Sequence, residues 1–266
     1  MRVAIAGFGT IGRVVGRALD RGIEGLELVA VSARDADKAK RAMSGYAKPV
    51  PVLPLARLAE VADIIAECAP AAAFSETAVP ALTAGRILVT VSGAGLLAHP
   101  EVVDLARRHG GRIILATGAL VGLDMVRAAA EGTIAEVRIV TRKHPRTLAG
   151  APYVEQNRID LDAIRTATRV FEGSAREGAA AFPANVNVAA ALGLAGIGPD
   201  ATRLEVWADP AMTTNRHTVI VKSDSAQVEM TIDNVPSEEN PRTGKITALS
   251  MIAALRGLTA PLRVGT

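Results

Sequence analysis

Residues 1–12 read MRVAIAGFGTIG: a short apolar strand, RVAIA, runs without a spacer into the glycine pattern GFGTIG of residues 7–12. The segment TIGRVVGRALDRG (10–22) then carries apolar residues at helical spacing, so the glycines sit at a strand-to-helix turn. In that context each glycine has a physical reason. Gly7 permits the tight turn, Gly9 lets the backbone approach a pyrophosphate, and Gly12 allows the helix to pack closely on the strand. The helix opening at Thr10 and Ile11 presents N–H groups and a positive dipole end to phosphates. Gly7, Gly9, Thr10, Ile11 and Gly12 are therefore assigned to a site for a dinucleotide, NAD or NADP.

Working outward, short β-rich runs alternate with helix-length segments through the first half. The pattern predicts strands at Val3–Ala6, Leu26–Val31, Ala62–Glu67, Ile87–Val91 and Ile113–Leu115. Helices are predicted over Thr10–Arg21, Asp35–Ser44, Ser75–Ala84 and Pro100–His109. Repeated βα units imply a Rossmann-type parallel sheet. From Ile134 the texture changes to alternating segments at Glu136–Thr141, Arg203–Ala208, Thr218–Lys222 and Gln227–Asp233, with helices at Ser174–Ala181, Val186–Leu194 and Ile246–Leu258. The expected fold class is thus α/β: an N-terminal Rossmann-type domain (1–118, completed by a C-terminal helix within 242–266) and a second α+β mixed-sheet domain (119–241) for catalysis and dimerisation.

An acidic residue at the tip of the second strand ordinarily holds the adenosine ribose of NAD. Here LELVAVSARD (26–35) places Ser32 and then Arg34 at that tip. A hydroxyl and a guanidinium can accept a 2′-phosphate that a carboxylate would repel. NADP is expected to be accepted as well as NAD, through Ser32 and Arg34; otherwise Arg34 is a solvated loop residue and Asp35 caps the next helix.

Composition narrows the function classes. Hydrophobic residues make up 49% and charged residues 21% of the 266, a globular composition, and aromatics are only 3%. Thirty basic against 27 acidic residues leave a net charge of +3, with no basic block interleaved with aromatics, so no nucleic-acid partner is expected. No apolar run has the length of a bilayer span, and no leader-like stretch precedes the first strand; a cytoplasmic enzyme is expected. The single cysteine, Cys68, excludes an internal disulfide and reads as a small core residue rather than a nucleophile. Four scattered histidines and one cysteine offer no ligand pair at metal spacing, so no metal is expected.

Several separate stretches of the second half resemble the L-aspartate dehydrogenases: TGALVGLD (117–124), VFEGSAREGAAAFPANVNVAAALGLAG (170–196), WADPAMTTNRHTVIV (207–221) and VPSEENPRTGKITALSMIAALRGL (235–258). With the N-terminal fold, the resemblance covers nearly the whole chain. It implies NAD(P)-dependent oxidation of L-aspartate to iminoaspartate, which hydrolyses to oxaloacetate and ammonia, and a role in NAD biosynthesis. It places His217, in NRHTV, on the family's catalytic histidine, and Ala119 and Asn187 on its cofactor-contacting alanine and asparagine. At TRKHPRTLAG (141–150) the chain departs from the family, with His144 in place of an expected proline.

Taking hydride from the Cα of an amino acid requires the ammonium to shed a proton first, a task suited to a group titrating near neutrality. His217, at the start of a predicted strand after the polar loop TTNR, is the best candidate. His144 competes as a substrate-loop residue among Arg142, Lys143 and Arg146, a basic cluster that reads either as a clamp for a dicarboxylate or as a solvated charge run. His99 and His109, at helix ends, read as structural. Two other functions stay open: a two-domain reductase of another imine or a semialdehyde, and a dinucleotide-binding sensor without chemistry. A homodimer through the second sheet is expected, because such a sheet needs its faces covered.

Overall fold

The computed structural model describes residues 1–183, 186–239 and 243–265; Ala184 and Asn185 of FPANVNV, and Asn240, Pro241 and Arg242 of VPSEENPRTG, lie outside the described residues. The described residues divide into two compact units, one within Met1–Gly118 with Thr247–Arg263, the other within Ala119–Ile246 with Val264 and Gly265.

The first unit holds strands β1 (Arg2–Ala6), β2 (Glu27–Ser32), β3 (Ile64–Glu67), β4 (Ile87–Thr90) and β5 (Arg112–Leu115), all parallel, in the order β2-β1-β3-β4-β5. Outside β2, Val31 bridges Val52 in parallel: the Leu53 N–H donates to the Val31 carbonyl at 2.8 Å, and the Val31 N–H to the Pro51 carbonyl at 3.1 Å. Pro51 and Pro54 lack the N–H groups a longer ladder would need, so this outer strand is held to a single bridge. With it counted, the order is that of a doubly wound Rossmann sheet, the order reversing between β1 and β3.

Both faces of this sheet are covered, which explains why β3 is buried at every position. One layer of core contains Val3, Ile5, Val15, Leu19, Met43, Met251 and Leu255; the other contains Ala4, Ile65, Phe74, Leu82, Leu88 and Val102. Met251 and Leu255 come from the helix Lys245–Arg256, so the far end of the chain completes the first unit's core.

The second unit is a mixed sheet of β6 (Ile134–Lys143), β7 (Thr168–Ser174), β8 (Arg203–Ala208), β9 (Asn215–Ser223) and β10 (Gln227–Asn234), in the order β10-β9-β6-β8-β7. Only β6 and β8 pair in parallel. Helices Leu123–Ala129, Ala175–Ala181 and Asn187–Ala195 belong to it. Ser174 and Glu177 form a capping box at the start of Ala175–Ala181, with the Glu177 N–H donating to Ser174 Oγ at 3.1 Å. Strand alternation gives one buried face. Val137, Ile139, Thr141 and Lys143 line it on β6, Leu204, Val206 and Ala208 on β8, and Asn215, His217, Val219 and Val221 on β9.

Several elements differ from expectation, among them the helices Gly93–Ala98, Leu123–Ala129 and Pro152–Gln156 and three strands. β6 runs two residues past Thr141 and β9 begins at Asn215 instead of Thr218, because polar residues at their ends continue the ladder: Thr141 pairs with His217 and Arg142 with Arg216. β7 was not anticipated, since TRVFEGS is a largely exposed edge strand whose register shifts between Arg169 and Phe171 and so lacks clean alternation. Among the described residues no helix is long and apolar enough to cross a membrane.

Candidate active site

In the first unit, the glycine turn is built as a cradle. Gly7 has φ +91°, and a Cβ on it would lie 2.6 Å from the Ala69 Cα; a Cβ on Gly12 would lie 2.0 Å from the Gly7 carbonyl oxygen. Both positions exclude a side chain by packing. Gly9 differs: a Cβ there would meet nothing within 4 Å, so the space beside it is open. Gly9 is also the N-cap of helix Thr10–Asp20 and no side chain caps that end. An uncapped helix N-terminus facing open space over a glycine suits a dinucleotide pyrophosphate, and Thr10 and Ile11, both half-buried, are its first two residues.

At the tip of β2, Ser32 is buried and its carbonyl accepts the Gly7 N–H at 3.1 Å, while Arg34 is exposed. Asp35 accepts the Lys38 N–H at 2.9 Å as the N-cap of Ala36–Ala42, which commits its carboxylate to the helix. Glu67 and Cys68 follow at the end of β3. Burial and the Glu67 carboxylate push the Cys68 thiol well above its usual range, so it is a packed thiol and not an activated nucleophile.

In the second unit, the apolar face of the sheet turns polar at one end. His217 is 2% exposed and its Nδ1 lies 2.9 Å from Thr141 Oγ1, across the register pair Thr141–His217. Lys143, two residues along the same face of β6, is 3% exposed. Asn215 and Asn234, a register pair on β9 and β10, are buried beside them, and Asn234 Nδ2 donates to the Ala119 carbonyl at 2.9 Å. Ala119 is thereby tied to the end of the sheet that carries His217. Asn187 opens the helix Asn187–Ala195 of the same unit.

Electrostatics separate the two titratable groups. Burial first, and the Lys143 charge second, push His217 down to about 3; burial alone brings Lys143 to about 8. His217 is therefore not a group titrating near neutrality in the free protein but an imidazole that stays neutral. It is also the third residue of its strand rather than the first, which is why it is buried.

The sequence groups Lys143 with Arg142 and Arg146 in one basic cluster, without distinguishing it from them. The strand separates them: Arg142 points to the opposite face and stacks over Trp207 at 5.0 Å, and Arg146 is exposed beyond the strand. The signal was present, because extending the alternation of Val137, Ile139 and Thr141 by two residues puts Lys143 on the buried face. His144, next along, is the N-cap of Pro145–Leu148, its Nδ1 accepting the Arg146 N–H at 3.3 Å. His99 pairs with Glu101 at 3.0 Å and stacks on Phe74. Among the described residues no cluster of His, Cys, Asp and Glu could hold a metal ion.

Comparison with known proteins agrees with both halves. Residues 124–258 match the family described as aspartate dehydrogenase, C-terminal, and residues 7–116 match that described as homoserine dehydrogenase, NAD binding domain. The L-aspartate dehydrogenase of Bradyrhizobium diazoefficiens is 53% identical over 100% of this chain and 94% of its own. That of Methanococcoides burtonii is 37% identical over the whole of both chains. In fold, the chain is similar to the crystal structure of aspartate dehydrogenase from Thermotoga maritima, with a TM-score of 0.73 at 24% identity, covering 100% of this chain and 99% of that one. A hyperthermophilic archaeal homoserine dehydrogenase, solved in complex with NADPH, gives 0.59 at 14% identity over 100% and 99%. The chain belongs to the L-aspartate dehydrogenase family, as an NAD(P)-dependent oxidoreductase.

Proposed function

We propose that this protein oxidises L-aspartate to iminoaspartate, which hydrolyses to oxaloacetate and ammonia, with His217 as the proton acceptor. The observation that carries the reading is the buried constellation of His217, Thr141 and Lys143 in the unit matched to the aspartate dehydrogenase C-terminal family. In the first unit, Gly7, Gly9, Thr10, Ile11 and Gly12 would hold the pyrophosphate and Ser32 and Arg34 the adenosine end; in the second unit, the family resemblance assigns Ala119 and Asn187 to the cofactor. The bound nicotinamide supplies the hydride acceptor.

For His217 to act as a base, its Nδ1–H donates to Thr141 Oγ1, which leaves the Nε2 lone pair for the substrate ammonium. Because burial, and after it the Lys143 charge, hold the imidazole neutral, that lone pair is available at any ordinary pH. The amine freed of its proton then has the lone pair that forms the C=N bond as hydride leaves Cα. The incoming carboxylates raise the basicity of His217 in the complex, and the Lys143 ammonium is the charge suited to one of them.

Iminoaspartate is the expected link to NAD biosynthesis in the cytoplasm. The second unit is also assigned dimerisation: Val140, Ile220 and Trp207 lie half-buried on the sheet face opposite His217, which a partner subunit would cover. The test is a panel of amino and hydroxy acids with NAD and NADP, followed by absorbance of the reduced cofactor. Turnover confined to L-aspartate is expected; preferred turnover of a cyclic imine or a semialdehyde would overturn the assignment.

A further inference from the structure

Glu67 ends β3 with no solvent exposure, and the proton transfer above does not use it. Its Oε1 accepts the Ala69 N–H at 2.9 Å and its Oε2 accepts the Thr90 hydroxyl at 2.6 Å; the Ser92 side chain donates to it as well. The Thr90 hydroxyl has its own proton to give, because Thr90 Oγ1 already accepts the Ser92 N–H at 2.8 Å. The Ala69 N–H can only donate and the Thr90 and Ser92 hydroxyls are able to, so the three partners suit a carboxylate, which can only accept. Burial raises the Glu67 carboxyl above its ordinary value, the three hydrogen bonds offset part of that rise, and no cation takes part in that balance.

The position of this charge is specific. In the strand order, β3 is the neighbour of β1 on the side away from β2, so Glu67 stands at the carboxyl edge where the order reverses. The Cys68–Ala69 peptide that follows it is the backbone against which Gly7 packs. A dinucleotide on such a sheet lies along the carboxyl ends, with the adenosine half toward β2 and the nicotinamide half toward the strands beyond the reversal, here β3 and β4.

We propose that Glu67 is a charged positioning residue for the cofactor: its buried carboxylate stabilises the pyridinium of the oxidised nicotinamide over the neutral ring of the reduced form. The oxidised ring carries a positive charge and the reduced ring none, so a fixed negative charge in a poorly screened site acts on one form only. Glu67 thus lowers the reduction potential of the bound couple and favours the oxidised cofactor on the protein. The packing of the Glu67 network serves both forms alike, and this separates the charge from its structural role.

The test is calorimetric titration of the full chain with NAD⁺ and with NADH, comparing wild type with Glu67→Gln, which keeps the shape and removes the charge. The expected result is a shift of about tenfold in the ratio of the two dissociation constants, by weaker NAD⁺ binding, the size a single charge exerts across a partly screened site. Glu67→Met, uncharged and of similar length, serves as the second variant and should move the ratio in the same direction. Equal losses for NAD⁺ and NADH, or an unchanged ratio in a folded variant, would overturn the proposal and leave Glu67 a packing residue.

Discussion

At the scale of single residues, the proposed site rests on two side chains whose environments suit them to opposite uses. His217, held at about 3, keeps its lone pair throughout the working range, so His217→Ala should lower kcat by roughly 10² to 10⁴, the usual range for removing a general base. Cofactor affinity should be nearly constant; a folded His217→Ala protein with wild-type kcat would exclude the role. The free protein should show no acidic limb near 6.5 in kcat/KM from this group. Lys143, at about 8, is charged below that pH and loses its charge as the pH rises through it, so its contribution to holding a carboxylate falls on the alkaline side. Lys143→Met should raise KM for aspartate about tenfold or more, by loss of a charge-assisted contact, and should abolish an alkaline limb centred near 8. An alkaline limb that persists in the variant would assign it to the substrate.

At the scale of elements, the strand-to-helix turn makes a sharper distinction among its glycines than their pattern alone. Gly9 faces open space, so Gly9→Val should fold normally and weaken NAD binding several-fold or more by filling the pyrophosphate approach. Gly12→Ala, by contrast, drives a Cβ into the Gly7 carbonyl and should show first as a lowered Tm. Reversal of these two outcomes would mean that the cradle is misassigned. At the tip of β2, Arg34→Ala should weaken NADP by about tenfold through one lost charge-assisted contact, with NAD little changed, as competitive titration of the two cofactors would reveal.

For the whole molecule, the buried polar end of the second sheet carries a stability cost that depends on pH. In the unfolded chain His217 takes up a proton as the pH falls through 6.5, whereas the folded protein does not until about 3, so stability is lost across that window. By pH 5 about 2 kcal/mol of stability is lost relative to neutral and higher pH, and thermal melts of His217→Asn should show a flatter acid dependence than wild type. Lys143 acts in the same sense higher up: its unfolded value of 10.5 lies above its folded value of about 8, so stability rises as the pH climbs through that interval. The parallel sheet and the glycine turn were legible in the sequence because they depend on local properties: apolar runs, helical spacing, and glycines whose conformational freedom is read from neighbours a few positions away. The mixed second sheet was legible from its alternating segments, apart from the edge strand β7, whose exposed residues carry no pattern. The polar end of that sheet was decided only by tertiary structure. Whether Lys143 lies in solvent or beside His217 depends on how far β6 continues against β9, and that register is set by pairing between residues more than seventy positions apart. The same holds for Glu67: one apolar run with a carboxylate at its end says nothing of burial, and only the assembled strands β3 and β4 bring Thr90 and Ser92 to it and exclude the water that would otherwise screen its charge.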